Sequence, residues 1–372
     1  MSCIVRNIYL NLVSEFFNVF LYKTKNMKKL ILGVGVAALL AGQVRAQDVH
    51  FTQYFTSPLT LNPAMSGLVD EDLRFAADVR EQWSSVSPNP YMTGTVSYDM
   101  AMLKGKLPEG DALGFGLLGL YDKSGSGGLT NTTVGLSLAY HKAFGYDRQQ
   151  HISFGAQANI VEKSLDFSKL TFEDMNVPGS GLIGSTSEHF NSSTLTYPDF
   201  NAGLMYSGKV SDHVTAYLGY SYYHLTQPVE TFLSNEDHQI HARQTGYMGA
   251  SVEMNPNTVL YASGLYQSQA GATEVLVGAA VGFVLNPGHD AEFQKNTIFY
   301  LGGWYRYGDA VAPYVGIEWS KMRIGFSYDV NVSSFTPATS GVGAYEITLM
   351  YFGRINKHER NPGYNWSCPK LW

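Results

Sequence analysis

Alternation of apolar and polar residues with a period of two is the feature that most constrains this chain. Val134, Leu136, Leu138 and Tyr140 alternate with Thr133, Gly135, Ser137, Ala139 and His141. Ile152, Phe154, Ala156, Ala158 and Ile160 alternate with His151, Ser153, Gly155, Gln157 and Asn159. Met322, Ile324, Phe326, Tyr328 and Val330 alternate with Lys321, Arg323, Gly325, Ser327 and Asp329. Successive side chains of a strand point to opposite faces, so each segment reads as a strand with one apolar and one polar face. A soluble sandwich buries its apolar faces against each other. A membrane barrel turns them to lipid and keeps the polar faces in its lumen.

The same pattern marks strands at roughly 72–83, 92–103, 112–122, 132–144, 150–162, 198–209, 213–224, 243–254, 258–270, 273–284, 296–307, 312–320, 321–331 and 342–353. That is about fourteen, and a closed bacterial barrel needs an even number. Such barrels also alternate short turns at one rim with long loops at the other. Numbered from the first strand, the odd connections are expected to be long. The fifth, 163–197, the seventh, 225–242, and the thirteenth, 332–341, fit, against even turns at 145–149, 210–212, 255–257 and Ser320. The tenth, near 285–295, is too long for its place. A sandwich has no reason for this asymmetry, so the expected fold is all-β, a transmembrane antiparallel β-barrel. Its closing strand carries Tyr345, Ile347, Leu349 and Tyr351 on one face.

Composition agrees. Charged residues make up 15% of the 372, while Tyr numbers 25 and Phe 20, as aromatic interface girdles require. A net charge of −6 excludes a nucleic-acid binder. The one apolar run, residues 30–41, is too short to span a bilayer as a helix. Met27, Lys28 and Lys29 precede it and Val44-Arg45-Ala46 follows, which reads as a secretory signal peptide starting at Met27 and cleaved after Ala46. The residues before Met27 then read as an upstream mis-start, with a genuine extended leader as the alternative. Cys368 is the one cysteine left after cleavage, which excludes a disulfide framework. The expected organisation is leader and signal at 1–46, a periplasmic or plug segment at 47–71, the barrel at 72–355 and a periplasmic tail at 356–372.

The segment after the signal carries Gln47-Asp48, Phe51, Gln53-Tyr54, Pro58-Leu59, Asn62-Pro63-Ala64 and Gly67, followed by Arg80-Glu81-Gln82-Trp83. The chain closes with Cys368-Pro369-Lys370-Leu371-Trp372. This combination resembles the PorP/SprF family of the Bacteroidetes type IX secretion system, sharply over 47–83 and as a barrel of the right size elsewhere. The Lys-Leu-Trp ending departs from the shorter basic-aromatic ending of the family. The resemblance implies an outer-membrane barrel in protein secretion or gliding motility. Its expected partners are secretion components, or a secreted adhesin held by its C-terminal sorting domain, with outer-membrane lipid around it. No cofactor, nucleic acid, small-molecule substrate or catalysis is expected. The alternatives are a porin-like channel and a barrel enzyme.

Residues 47–67 are too rich in aromatics and prolines for a linker and are expected to pack. Phe51, Gln53, Tyr54, Pro58, Asn62 and Pro63 are the candidate partner-binding residues. Arg74, Asp78, Arg80, Asp99, Arg306, Glu318, Lys321, Arg323, Asp329 and Glu346 fall on polar faces and read as a structural ion-pair network in the lumen. Trp83 reads as an interface aromatic. His224, His238 and His241, with Glu236 and Asp237, match no strong metal motif. Gly179, Gly181 and Gly184 spell a nucleotide-loop pattern without the strand–helix context it needs.

Overall fold

The computed structural model describes residues 48–354, apart from 70, 105, 126–127, 146–147, 178–180, 183–185, 189, 191, 233–237 and 286–296. The leader, the signal and cleavage site, the tail with Cys368, Glu236, Asp237, Gly179 and Gly184 lie outside the described residues. Fourteen antiparallel strands form one closed barrel. They are β1 (Leu73–Gln82), β2 (Tyr91–Met102), β3 (Ala112–Ser124), β4 (Leu129–Phe144), β5 (Gln150–Ser164), β6 (Thr194–Ser211) and β7 (Val214–Tyr223). Then come β8 (Arg243–Asn255), β9 (Thr258–Gln269), β10 (Ala272–Val284), β11 (Ile298–Arg306), β12 (Ala310–Trp319), β13 (Met322–Asn331) and β14 (Val342–Gly353). Each strand pairs with its sequence neighbour, and β1 pairs with β14 along its whole length, from Leu73 opposite Gly353 to Gln82 opposite Ala344. Every strand lies where the alternation put it, within a few residues.

The apolar faces point outward. Val134 is 63% exposed and Leu136 44%, while Ser137, His141, His151 and Ser153 between them are fully buried. A soluble fold would reverse those values. Here the apolar side chains form the lipid face and the polar ones line the lumen. Among the described residues no helix is long and apolar enough to cross a membrane.

Two long connections, between β5 and β6 and between β7 and β8, share one rim. They meet through Phe167, which stacks on Phe190 at 3.9 Å within its own connection and meets Phe232 of the other edge-on at 6.0 Å, while Lys163 at the end of β5 pairs with Glu230 at 2.6 Å. This is the long-loop rim. The strict alternation of loop lengths does not hold around the circumference. Connections nine and eleven, at 270–271 and 307–309, belong to the same rim and are tight turns. In the ninth, Ala270 and Gly271 both have positive φ, 52° and 76°, the twist that best joins two antiparallel strands.

Burial of this kind predicts an asymmetric response to charge. Leu136→Arg, near the middle of β4 on the lipid face, is expected to cost roughly 2–4 kcal/mol. Ser137→Ala, one residue along and facing inward, is expected to cost less than about 1 kcal/mol. Equilibrium unfolding from bilayers measures both.

Candidate functional site

The lumen is occupied by the chain itself. Residues 51–69 are all buried except the half-buried Thr60, and they run through the barrel before β1 begins. Short turns fold this segment. A one-turn helix, Pro58–Leu61, is followed by a 3-10 turn, Pro63–Met65. In Asn62-Pro63-Ala64 each residue has a separate task. The Asn62 side chain accepts a hydrogen bond from the Ala64 N–H at 2.8 Å, and Pro63 takes the first turn position, where no N–H is needed. Asn62 Nδ2 donates across to the Leu204 carbonyl at 3.1 Å and the Tyr220 carbonyl at 3.2 Å. The turn is thereby tied to β6 and β7.

The wall makes room for this turn with glycine. Gly155 lies opposite Gly203, and Gly114 is two strands away in the same row, opposite Ala139. A methyl group at Gly203 would overlap Asn62; one at Gly155 would overlap Pro63 and Ala64; one at Gly114 would overlap the Ser66 carbonyl. Backbone of the segment therefore packs directly on backbone of the wall.

Three polar clusters fix the segment. The largest is centred on Thr52. Its hydroxyl accepts from Arg80 at 3.0 Å and Arg306 at 2.7 Å and donates to Asp329 at 2.9 Å. Glu346 accepts from the N–H groups of Thr52 and Gln53, at 2.9 and 2.6 Å, and pairs with Arg80 at 3.0 Å. Asp329 bridges Arg80 and Arg306 at 2.7 and 2.8 Å, and Glu274 takes the remaining edge of Arg306 at 3.0 Å. Gln53 itself donates to Ser327 and accepts from Thr348, while Thr56 donates to Asp78 at 3.2 Å. Arg80, Arg306, Asp329 and Glu346 are tolerated at this depth because each finds several partners, whereas Asp78 at the edge accepts from Thr56 through one oxygen only.

The second cluster holds the far end. Arg74 grips Asp99 through two bonds of 2.9 Å, Asp99 accepts from the Gly67 N–H at 2.8 Å, and Arg74 donates to the Met65 carbonyl at 3.0 Å. Beside it, His141 bridges Ser153 and the Ser66 carbonyl. The third cluster holds the near end. Asp48 contacts His224 at 2.7 Å, Arg243 at 3.3 Å and Gln269 through both its own N–H and its carboxylate. Asp199 takes the other nitrogen of His224 at 3.0 Å. Burial alone would depress the His224 imidazole, but the two carboxylates outweigh it and raise its pKa to about 9. Burial would likewise raise the Asp48 carboxyl, and the cations of His224 and Arg243 hold it well below the usual range.

The rest of the lumen, on the β7–β12 side, is an aromatic core. Phe55 packs 5.2 Å from Trp304 and 6.0 Å from Tyr314, and Tyr54 donates its hydroxyl to Ser263 at 2.7 Å. Tyr217, Tyr247, Tyr261 and Tyr300 complete the cluster with Leu61 and Met65.

Of the residues singled out in the sequence, Phe51, Gln53, Tyr54, Pro58, Asn62 and Pro63 are all buried in the lumen against the wall. Arg74 and Asp99 meet in one cluster, Arg80, Asp329, Glu346 and Arg306 in another, with Asp78 at its edge. Glu318 and Arg323 pair near Tyr300, apart from both. Lys321 sits in the turn between β12 and β13, not on the lumen wall. Trp83 lies just past β1, with φ 58°, packed edge-on against Tyr91 at 5.0 Å and Phe335 at 5.7 Å. His224 is drawn into the Asp48 cluster. Sequence reasoning missed Thr52, His141, Asp48 with His224, and the glycine row. The row left a signal: Gly114, Gly155 and Gly203 all fall on the polar face of the alternation, where longer polar side chains belong.

Two outcomes are expected. Thr52→Val keeps the shape of the side chain but leaves two guanidiniums and a carboxylate short of a partner, costing about 1–3 kcal/mol in detergent unfolding, whereas Thr60→Val costs under about 1 kcal/mol. For His224, with a folded pKa above its ordinary 6.5, the stabilisation is complete below pH 6.5 and is lost as pH rises through about 9. The stability gap between the native chain and His224→Gln, roughly 1–3 kcal/mol at pH 6, should therefore close by pH 10. A gap that persists at pH 10 would refute the ion pair.

The profile of the family described as "Type IX secretion system membrane protein PorP/SprF" matches residues 43–351, and the chain belongs to that family. No curated protein matches it. Among solved structures, the Ralstonia pickettii toluene transporter TbuX is similar at 13% identity and a TM-score of 0.45, covering 80% of this chain and 94% of that one. The CymD monoaromatic hydrocarbon channel is similar at 11% identity and a TM-score of 0.45, covering 82% and 94%. A Pseudomonas aeruginosa FadL homologue is similar at 11% identity and a TM-score of 0.41, covering 78% and 92%. At these scores the likeness bears on neither ligand nor activity.

Proposed function

We propose that this PorP/SprF member is an outer-membrane component of the type IX secretion and gliding machinery that binds and anchors other proteins and performs no catalysis. The partner is a secreted adhesin, held by its C-terminal sorting domain, or the periplasmic ring components of the system. The observation that carries this reading is the filled lumen. A barrel whose interior is packed with its own chain has its rims and loops left for interaction. The long-loop rim is read as the cell-surface side, because outer-membrane barrels place their long loops there. On it, the Phe167–Phe190–Phe232 cluster braces the two largest loops against each other, and the Lys163–Glu230 pair ties the second of them to the end of β5. Bracing before contact lowers the ordering cost of binding a partner. Phe51, Gln53, Tyr54, Pro58, Asn62 and Pro63 then serve the partner indirectly, by keeping the barrel rigid beneath the loops. The same filling speaks against a solute channel.

The tagged protein, drawn in mild detergent from its native outer membrane, is expected to bring along a large secreted protein or ring subunits. Recovery of the barrel alone at near-native yield, together with stepwise ion conductance in a planar bilayer, would overturn the anchoring reading in favour of a channel.

A further inference from the structure

We infer that the buried amino-terminal segment is threaded from outside to inside, so that the chain enters the barrel through its cell-surface mouth. The inference rests on the reading of the long-loop rim as the outer side.

Three fixed points set the direction. Asp48 is held by Arg243 and Gln269, the first residue of β8 and the last of β9, and by His224, just past the end of β7. All three positions belong to the long-loop rim. Thr52 and Gln53 lie next, at the level of Arg80 and Glu346, which face each other near the same end of β1 and β14. Ser66 and Gly67 come last, beside His141 near the end of β4 and Asp99 near the end of β2, both toward the opposite rim. There Asp72 donates to the Gly353 carbonyl and β1 begins its return. The segment thus makes one pass, antiparallel to β1. Room for a second pass is lacking among the described residues: the segment itself is buried from 51 to 69, the β7–β12 side of the lumen is aromatic core, and the gap left beside Thr60, Asn159 and Asp199 measures about 80 Å³. Asp48, Val49 and His50 are half-buried at the mouth.

This has a consequence for an exported chain. A barrel strand that starts at the inner face is ordinarily preceded by residues on that face. Here the start of the segment has to be on the far side when the barrel closes, so the segment is enclosed as a loop with its early end leading.

The test is side-specific labelling of single cysteines with a membrane-impermeant maleimide, in a full-length chain whose Cys368 is replaced by Ser. Val49→Cys is the reporter. Ser187→Cys, exposed in the β5–β6 connection, and Asp212→Cys, 94% exposed in the β6–β7 turn, mark the two sides. Folding of every variant is checked by heat-modifiable mobility on gels. Ser187→Cys is expected to label on intact cells and Asp212→Cys after permeabilisation; the reverse would fault the orientation and leave the threading to be read relative to these markers. Val49→Cys is expected to label with Ser187→Cys under either orientation. Labelling of Val49→Cys together with Asp212→Cys, or only after the barrel is denatured, would overturn the inference. As a second readout, an epitope inserted immediately before Asp48 is expected to bind antibody on the side where Ser187→Cys labels; binding on the other side would overturn it equally.

Discussion

The structure depends on how buried charge inside the barrel is satisfied. A closed sheet in lipid must turn its polar faces inward, and an inward face without water is a costly place for arginine and glutamate. Arg80, Arg306, Asp329, Glu346 and Glu274 solve this jointly, but not among themselves alone. Two backbone N–H groups and one hydroxyl from the amino-terminal segment complete their coordination. The wall provides the ions and the segment provides the groups that let them stay there. Buried salt bridges are weak evidence for stability in themselves, and are better read as devices that specify one arrangement. Here the arrangement specified is the seat of residues 51–56.

The strands were legible in the sequence because the barrel writes the same constraint on nearly every residue. Lipid on one side and lumen on the other leave no freedom in the alternation, so residues such as Leu136 and Ser137 declare their faces unaided. Loop lengths were less legible. Nothing in lipid or lumen constrains a rim connection, so the tight turns at 270–271 and 307–309 broke a pattern that the larger loops had suggested. The lumen charges were found by parity, and their grouping was found only in part. Arg80 and Glu346 are opposite each other across the closing pair, which follows from the topology. That Glu318 and Arg323 stand apart from them, and that Lys321 is in a turn, follows from strand ends, which alternation locates only to a few residues.

The Asp48 cluster was out of reach for a different reason. Its members, Asp48, Asp199, His224, Arg243 and Gln269, are spread over more than 200 positions of the sequence and meet because a nonrepetitive segment passes them. The glycine row was legible in principle. A glycine on the lumen face of a strand weakens the strand and fills nothing, so three of them in one row suggest another backbone approaching closely. Gly155 and Gly203, facing each other, mark where Asn62-Pro63-Ala64 sits, and the motif and the row are two halves of one contact.

The closing seam joins the first strand to the last, and the two residues that meet there, Arg80 and Glu346, both reach the same short stretch of the segment. The contact between the ends of the chain is therefore completed by a third party that was synthesised before either. Without the segment these two charges meet at the seam short of the hydroxyl and the two backbone N–H groups that Thr52 and Gln53 supply. The seam that closes the barrel is thus complete only with the segment seated, so the first residues of the described chain and its last strand share one contact.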